Sequence, residues 1–385
     1  MADEASGIYT FQDAIDLLVD FTGSNQGANI SREMRKAVLE AYDELASKKD
    51  WRHYVRPRRI ETQLPETGTL AYSASTNLFT IDSGTFPTWA EGATLLVGDV
   101  RYRVLTRNSS TTLTPTSEQA PVDDIATGTA FTIIQDVITL PENFKAMQAP
   151  KGEGGSAFWT CYVSPDQWLQ QTRSSESTGQ LVAWTVMADP IYLGRQAVHL
   201  WPAPDANRTI DYIGLYYPRH LRYSGYRPND RVGTIAVSGT TVTGTGTAFS
   251  SAMIGSILRI SEDGTNYPEG VGGLYPYQYQ RIITAVASTT SLTIGGSSLT
   301  VSSGKKYTVS DPIDVARWMI NALWRGCERR ISHKKGSAAT AMAEQDYSIA
   351  LASAIDDDEP NRSVRSSWDV SYGNISQYWI QGGDA

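Results

Sequence analysis

The residues that could support catalysis or metal binding are few, and their spacing is unhelpful to either. The histidines His53, His199, His220 and His333 form no HxH or HExxH pair, so a zinc centre would need four distant segments to converge. The run Asp356, Asp357, Asp358, Glu359 could hold a hard cation, but it lacks the glycine and alternating spacing of a calcium loop and reads as a solvated helix end before Pro360. GGSSLTVSSGKK (295 to 306) ends in Gly-Lys, yet Leu299 stands where a phosphate loop needs glycine and Lys306 where it needs a hydroxyl. SHKK (332 to 335) has an SxxK spacing without the companion motifs of a serine acyl-enzyme. Paired carboxylates of a glycosidase leave no fixed spacing in sequence, so that enzyme class stays open. The reading is of a protein without catalytic residues, metal or cofactor.

Two basic strips offer binding chemistry instead. WRHYVRPRR (51 to 59) mixes Arg52, Arg56, Arg58 and Arg59 with Trp51 and Tyr54, and a second strip holds Arg325, Arg329, Arg330, Lys334 and Lys335. Either could grip phosphates, with aromatics stacking on bases, or pair with carboxylates of a neighbouring subunit. The chain has 33 Lys+Arg against 41 Asp+Glu, a net charge of −8, which weighs against tight general DNA binding. The acidic residues 356 to 359 are candidate partners for the strips.

The elements that must position these residues come in three kinds. Two N-terminal helices are expected in residues 1–60. The first is capped by Thr10 and carries Ala14, Ile15, Leu18 and Val19, and a glycine-rich break follows at Gly23 to Gly27. The second starts near Ser31 and carries Met34, Val38, Ala41, Tyr42 and Leu45, ending at Trp51. Residues 311–358 read as a second helical pair: Asp311 and Pro312 as cap and first turn before Val315, Trp318, Met319, Ala322 and Leu323, then Ala343, Tyr347, Leu351 and Ala354 on one stripe. Between them the chain is β-rich. Residues 66–136 and 231–310 repeat one pattern: GTLA (68 to 71) against GTIA (233 to 236), GTFPTWAEGATLLV (84 to 97) against GTAFSSAMIGSILRI (246 to 260), YRVLTRNSSTTLT (102 to 114) against QRIITAVASTTSLTI (280 to 294), and GTAFTIIQD (128 to 136) against GKKYTVSD (304 to 311). Each copy is expected to be a small β-barrel module inserted in a host whose β-rich core block is 137–230. The expected class is α+β: a helical bundle from both ends, a β-rich core, two barrel-like modules and an extended C-terminal arm, 359–385.

That arm has no helical stripe yet contains Val364, Trp368, Val370, Tyr372, Ile375, Tyr378, Trp379 and Ile380. A free tail should be polar, so this one either docks on another chain or folds back over its own bundle. Composition agrees with an interface-rich protein: 10 Trp and 20 Tyr accompany only 19% charged residues, where about 25% is usual, and Trp and Tyr dominate interface energetics. Cys161 and Cys327 are far apart in no CxxC pair and are read as packing residues. MADEASG carries no basic start and no apolar run follows it, which points to a soluble protein made in a cytoplasm, with no membrane partner.

The helical pair ending in a Trp, LPENF, the block HLWPAPDANRTIDYIGLYYPRHL (199 to 221), the closing helices and the arm together resemble head-to-tail adaptor proteins of short-tailed bacteriophages. That resemblance covers about half the chain, the helical ends and the block from 137 to 222. It implies a structural, non-enzymatic virion protein assembled in the host cytoplasm: a homo-oligomeric ring, dodecameric in that family, beneath the portal protein. DNA would pass non-specifically through its lumen, and tail nozzle or fibre proteins would attach below. The arm would be the portal-binding element. The two β-modules depart from the simplest adaptors. A rival reading is a carbohydrate-binding or carbohydrate-hydrolysing tail protein, with module aromatics stacking on sugars.

Overall fold

The computed structural model describes residues 7–23, 28–148, 161–172, 178–270 and 273–359. It is a mixed α+β chain with more strand than helix, and it divides into two units: residues 54–217, and residues 1–53 with 218–385. The expected arm residues Val364, Trp368, Val370, Tyr372, Ile375, Tyr378, Trp379 and Ile380 lie outside the described residues.

Within the unit 54–217, residues 66–134 form a closed six-stranded barrel. Around it run Glu66–Ser73, Leu78–Ser83, Thr112–Pro115, Val100–Arg107, Thr94–Val97 and Ile125–Ile134, with the last pairing back on the first. Closure rests on one strand doing two jobs. Residues 131 to 134 pair with Thr94 to Val97 on one side, while 131 to 133 also pair with Glu66 to Gly68 on the other. Leu70, Phe79, Phe86, Leu95, Leu113 and Ile133 fill the interior, each at most 1% exposed. The block after the barrel is a three-stranded sheet, Val55–Thr62, Arg208–Tyr216 and Phe144–Met147, and a four-stranded sheet, Cys161–Tyr162, Ala183–Ala188, Gln196–Trp201 and Val137–Thr139. One core, with Trp184, Val198, Leu200, Tyr212 and Tyr216, joins the two sheets. A short helix, Pro165–Thr172, interrupts what the sequence presented as purely β.

The other unit repeats the barrel without closing it. Its seven strands run Leu299–Lys305, Thr234–Gly239, Thr241–Thr245, Ser291–Ile294, Tyr279–Ser288, Ile257–Ile260 and Tyr307–Ser310. This is the first module's order with the final strand cut in two. Leu299–Lys305 pairs with Thr234–Gly239 and Tyr307–Ser310 with Ile257–Ile260, and no stretch does both. The correspondence is otherwise residue by residue. The Gly92 N–H donates to the Val104 carbonyl and the Gly255 N–H to Ile283; the Phe86 N–H donates to Ser110 and the Phe249 N–H to Thr289. Each strand tip is folded by a serine hydroxyl that accepts from the N–H two residues on, Ser109 from Thr111 at 3.1 Å and Ser288 from Thr290 at 3.2 Å. Gly128 and Gly304 share a positive φ, 84° and 86°, so both copies need glycine at the kink of the closing strand.

Helix Phe11–Thr22 forms where expected. Thr10 and Asp13 make a reciprocal capping box and Gly23 closes the helix in the left-handed conformation. The second helix starts earlier than expected, Ala28–Ser47, with Met34, Val38, Ala41, Tyr42 and Leu45 all buried. It packs on Ile320–Ile331, which packs on Ser337–Asp358. Asp311 is not a helix cap: residues 312 to 316 are non-helical, and the helix begins only after the turn Arg317–Met319. Its carboxylate instead accepts from the Ser256 hydroxyl at 2.6 Å, from the N–H groups of Arg222 and Tyr223, and pairs with Arg219 at 3.3 Å. Trp318, expected on the buried stripe, is 38% exposed.

Candidate functional site

Where the helical segments meet, the acidic run ends a helix as expected, with Asp356, Asp357 and Glu359 exposed, but Asp358 is not solvated. Asp358 is 1% exposed and lies 3.2 Å from Lys49 Nζ, and its Oδ1 accepts from the Arg52 N–H at 3.2 Å. The Arg52 guanidinium donates to the Asp357 carbonyl at 3.1 Å, and Glu359 sits 3.9 Å from Lys49. Trp51 is wholly buried beside them and donates its indole N–H to the Leu45 carbonyl at 2.8 Å. A buried carboxylate survives only when paired, so this knot of Lys49, Arg52 and Asp358 fixes the helix end from which residues 360–385 continue. Asp356 and Asp357 stay exposed.

The first basic strip is thereby split. Arg52 belongs to this knot, whereas Arg56, Arg58 and Arg59 lie on strand Val55–Thr62 of the other unit. Arg58 stacks over the Tyr216 ring at 5.6 Å and Arg59 pairs with Asp211 at 3.0 Å, an exposed pair of the kind that adds little stability. The second strip is met by carboxylates of its own chain. Arg325 pairs with Glu328 at 2.7 Å, Arg329 with Glu44 and with Glu344 at 3.3 Å, and Arg330 with Glu44 and with Glu40 at 3.5 Å. Lys334 reaches Glu33. Arg329 also lies 4.2 Å over the Tyr347 ring. These pairs tie helix Ile320–Ile331 to its neighbours on both sides.

The histidines do not converge. His53 bonds Asp314 at 2.9 Å. His199 stacks edge-on against Trp168, and burial pushes its imidazole down to about 4. Among the described residues no group of three or more His, Cys, Asp or Glu is placed to hold a metal ion. Of the two packing cysteines expected, Cys327 is buried with its thiol pushed up by desolvation, but Cys161 is exposed.

Sequence reasoning missed a polar seam between helix Phe11–Thr22 and the open module. Arg259 is 1% exposed, donates to Gln280 Oε1 at 2.7 Å and Asp13 Oδ2 at 2.6 Å, and stacks on Tyr277. Gln12 donates to the Pro268 carbonyl at 2.7 Å and accepts from Thr308 at 3.0 Å. Asp16 accepts from the Tyr226 hydroxyl and the Gly270 N–H, and burial holds its carboxyl up at about 6. An elevated carboxyl is a signature of acid catalysis; here the Asp16 carboxyl is engaged by Tyr226 and Gly270 and its neighbour Asp13 by the capping box and Arg259, so both fasten the helix to the module. Module aromatics Phe79, Phe86, Phe131, Phe249 and Tyr307 are spent on barrel interiors, whereas Trp89 and Tyr102 are half-buried and Tyr275 is exposed. No family model matches the chain, and neither curated proteins nor solved structures give a match.

Proposed function

We propose that this chain is a structural virion protein, the subunit of a head-to-tail adaptor ring that joins the portal to the tail and surrounds the DNA channel without gripping it. The observation that carries the reading is the knot at Asp358. An arm bearing Val364, Trp368, Val370, Tyr372, Ile375, Tyr378, Trp379 and Ile380 starts from a helix end pinned by Lys49 and Arg52, and pinning a docking segment at its root lowers the entropy lost on binding. The helical bundle from both chain ends would form the ring wall, and the modules would be platforms for nozzle or fibre proteins. The sequence resemblance and the acidic balance, which suits passage of DNA, support the same reading.

Imaging the full chain with purified portal rings by electron microscopy tests it. Added density of ring symmetry under the portal is expected, and it should vanish in a Trp368→Ala/Trp379→Ala variant. Failure of the wild-type chain to decorate the portal rejects the adaptor reading; decoration that survives the double substitution rejects the arm assignment.

A further inference from the structure

Helix Ser337–Asp358 is apolar on two opposite faces. The inner face, Ala343, Tyr347, Ala350 and Ala354, is buried. On the outer face Met342 is 67% and Ile349 62% exposed, two turns apart on one line, with Ala338 and Ala352 exposed along the same line. Gln345 interrupts that line and Glu344 and Asp346 are exposed beside it, so the outer apolar surface is a narrow stripe of large side chains, the kind of exposed surface that marks an interaction site.

Charge identifies the occupant. Residues 337–358 contain no Lys or Arg, and Asp356 and Asp357 stand exposed at the end of the outer face. The same unit carries the complementary surface: the outward side of helix Ala28–Ser47 holds Arg32, Arg35 and Lys36 with Leu39 half-buried among them. Lys36 lies 3.6 Å from Glu40, an exposed pair, while burial and the like charges of Arg227 and Arg32 push the Arg35 guanidinium down, with Asp230 opposing, so the face carries a net positive charge that suits an acidic partner.

We infer that the outer face of Ser337–Asp358 on one copy of this chain docks on the Arg32 to Leu39 face of the next copy. Two different patches on one unit make a head-to-tail contact, which propagates to a ring or a filament, whereas a two-fold pairing through the acidic helix would set acid against acid. This deepens the ring reading and rests on it.

The test uses the full chain. Met342→Lys/Ile349→Lys alters only exposed side chains, and circular dichroism checks the fold. Sedimentation velocity should show self-association weakened at least about tenfold, with a similar loss for Arg32→Glu/Lys36→Glu. In a Cys161→Ser background, Ile349→Cys with Lys36→Cys and a bismaleimide should give an inter-chain ladder. If the wild-type chain associates but the lysine variant associates equally and no ladder forms, this contact is wrong while the ring stands. If the wild-type chain stays monomeric even beside portal rings, both fail. If a lone Ile349→Cys thiol in the monomer is protected from maleimide, the face is covered by residues 361–385 of its own chain and the inference is overturned.

Discussion

The two β-modules begin from one plan and end differently. In the module 66–134 the strand Thr94–Val97 keeps Leu96 partly exposed, and the closing strand serves both neighbours. In the module 234–310 the equivalent strand, Ile257–Ile260, and the final strand, Tyr307–Ser310, are buried at every position. Of the outward-facing residues of that sheet region, Arg259 and Thr308 meet helix Phe11–Thr22, and Gln280 bonds Arg259 and the Ile8 carbonyl just before that helix. A module that must bury both faces of its last strands is committed to the helices. Its split at Lys306, whose carbonyl accepts from the Ser261 N–H at 2.9 Å, lets the terminal segment follow that surface. The first module has no such obligation and closes on itself.

Removing the matched aromatic plug from each module should break the comparison most strongly. Phe86→Ala and Phe249→Ala each empty a site at most 3% exposed and should cost about 3 to 5 kcal/mol. Hydrogen exchange should show the loss confined to residues 66–134 for Phe86→Ala, and extending into helix Phe11–Thr22 for Phe249→Ala. Equal confinement in both would deny that the second module and the helix are one folding unit.

Acid and base should act on the two units in opposite directions. Asp16, held at about 6 by burial, favours its protonated form in the fold, so its own contribution to stability is full below the ordinary carboxylate value of 3.8 and is lost as pH rises through 6. His199, held at about 4, is neutral in the fold, so the other unit keeps its stability above 6.5 and loses it as pH falls toward 4. Each effect should reach about 2 kcal/mol, read by pulse hydrogen exchange along urea series at pH 4.5 and 6.5. Parallel responses would refute the assignment of one group to each unit. Smallest and most alike should be Gly128→Ala and Gly304→Ala. Both positions have open space but positive φ, so each should cost roughly 1 kcal/mol, measured by urea midpoint. A large disparity would mean the two kinks are not equivalent.

The repeat was legible because its punctuation is chemical: paired glycines at forced backbone angles and Ser-Thr-Thr tips recur at matched spacing. Whether the strands close was not legible, since that depends on which partners residues 304 to 310 choose. Asp311 was misread because Asp-Pro is an ordinary helix start, and nothing local reveals that Ser256, Arg219 and two backbone N–H groups claim its carboxylate first. ILRI looks like a strand with an outward arginine; the helix that buries Arg259 lies some 240 residues earlier in the chain. The candidate site divides in the same way. The aromatic content of residues 361–385 was visible as composition, but the burial of Asp358 within an acidic run was not, because it depends on Lys49 and Arg52 arriving from the other end of the sequence.

The closed barrel has a consequence for inheritance. Glu66 is paired with Ile133, so the chain enters and leaves the barrel about one strand spacing, some 4.8 Å, apart. A gene segment encoding residues 66–134 could be excised or exchanged for another β-domain while the flanking strands Val55–Thr62 and Val137–Thr139 are rejoined by a short loop. The same surgery on the second module would tear out the surface that buries Gln12 and Asp13. An exchange of the first module would still have to replace the contacts that hold the barrel to its unit, Thr94 and Arg103 on Asp136 and Glu91 on the Tyr192 hydroxyl.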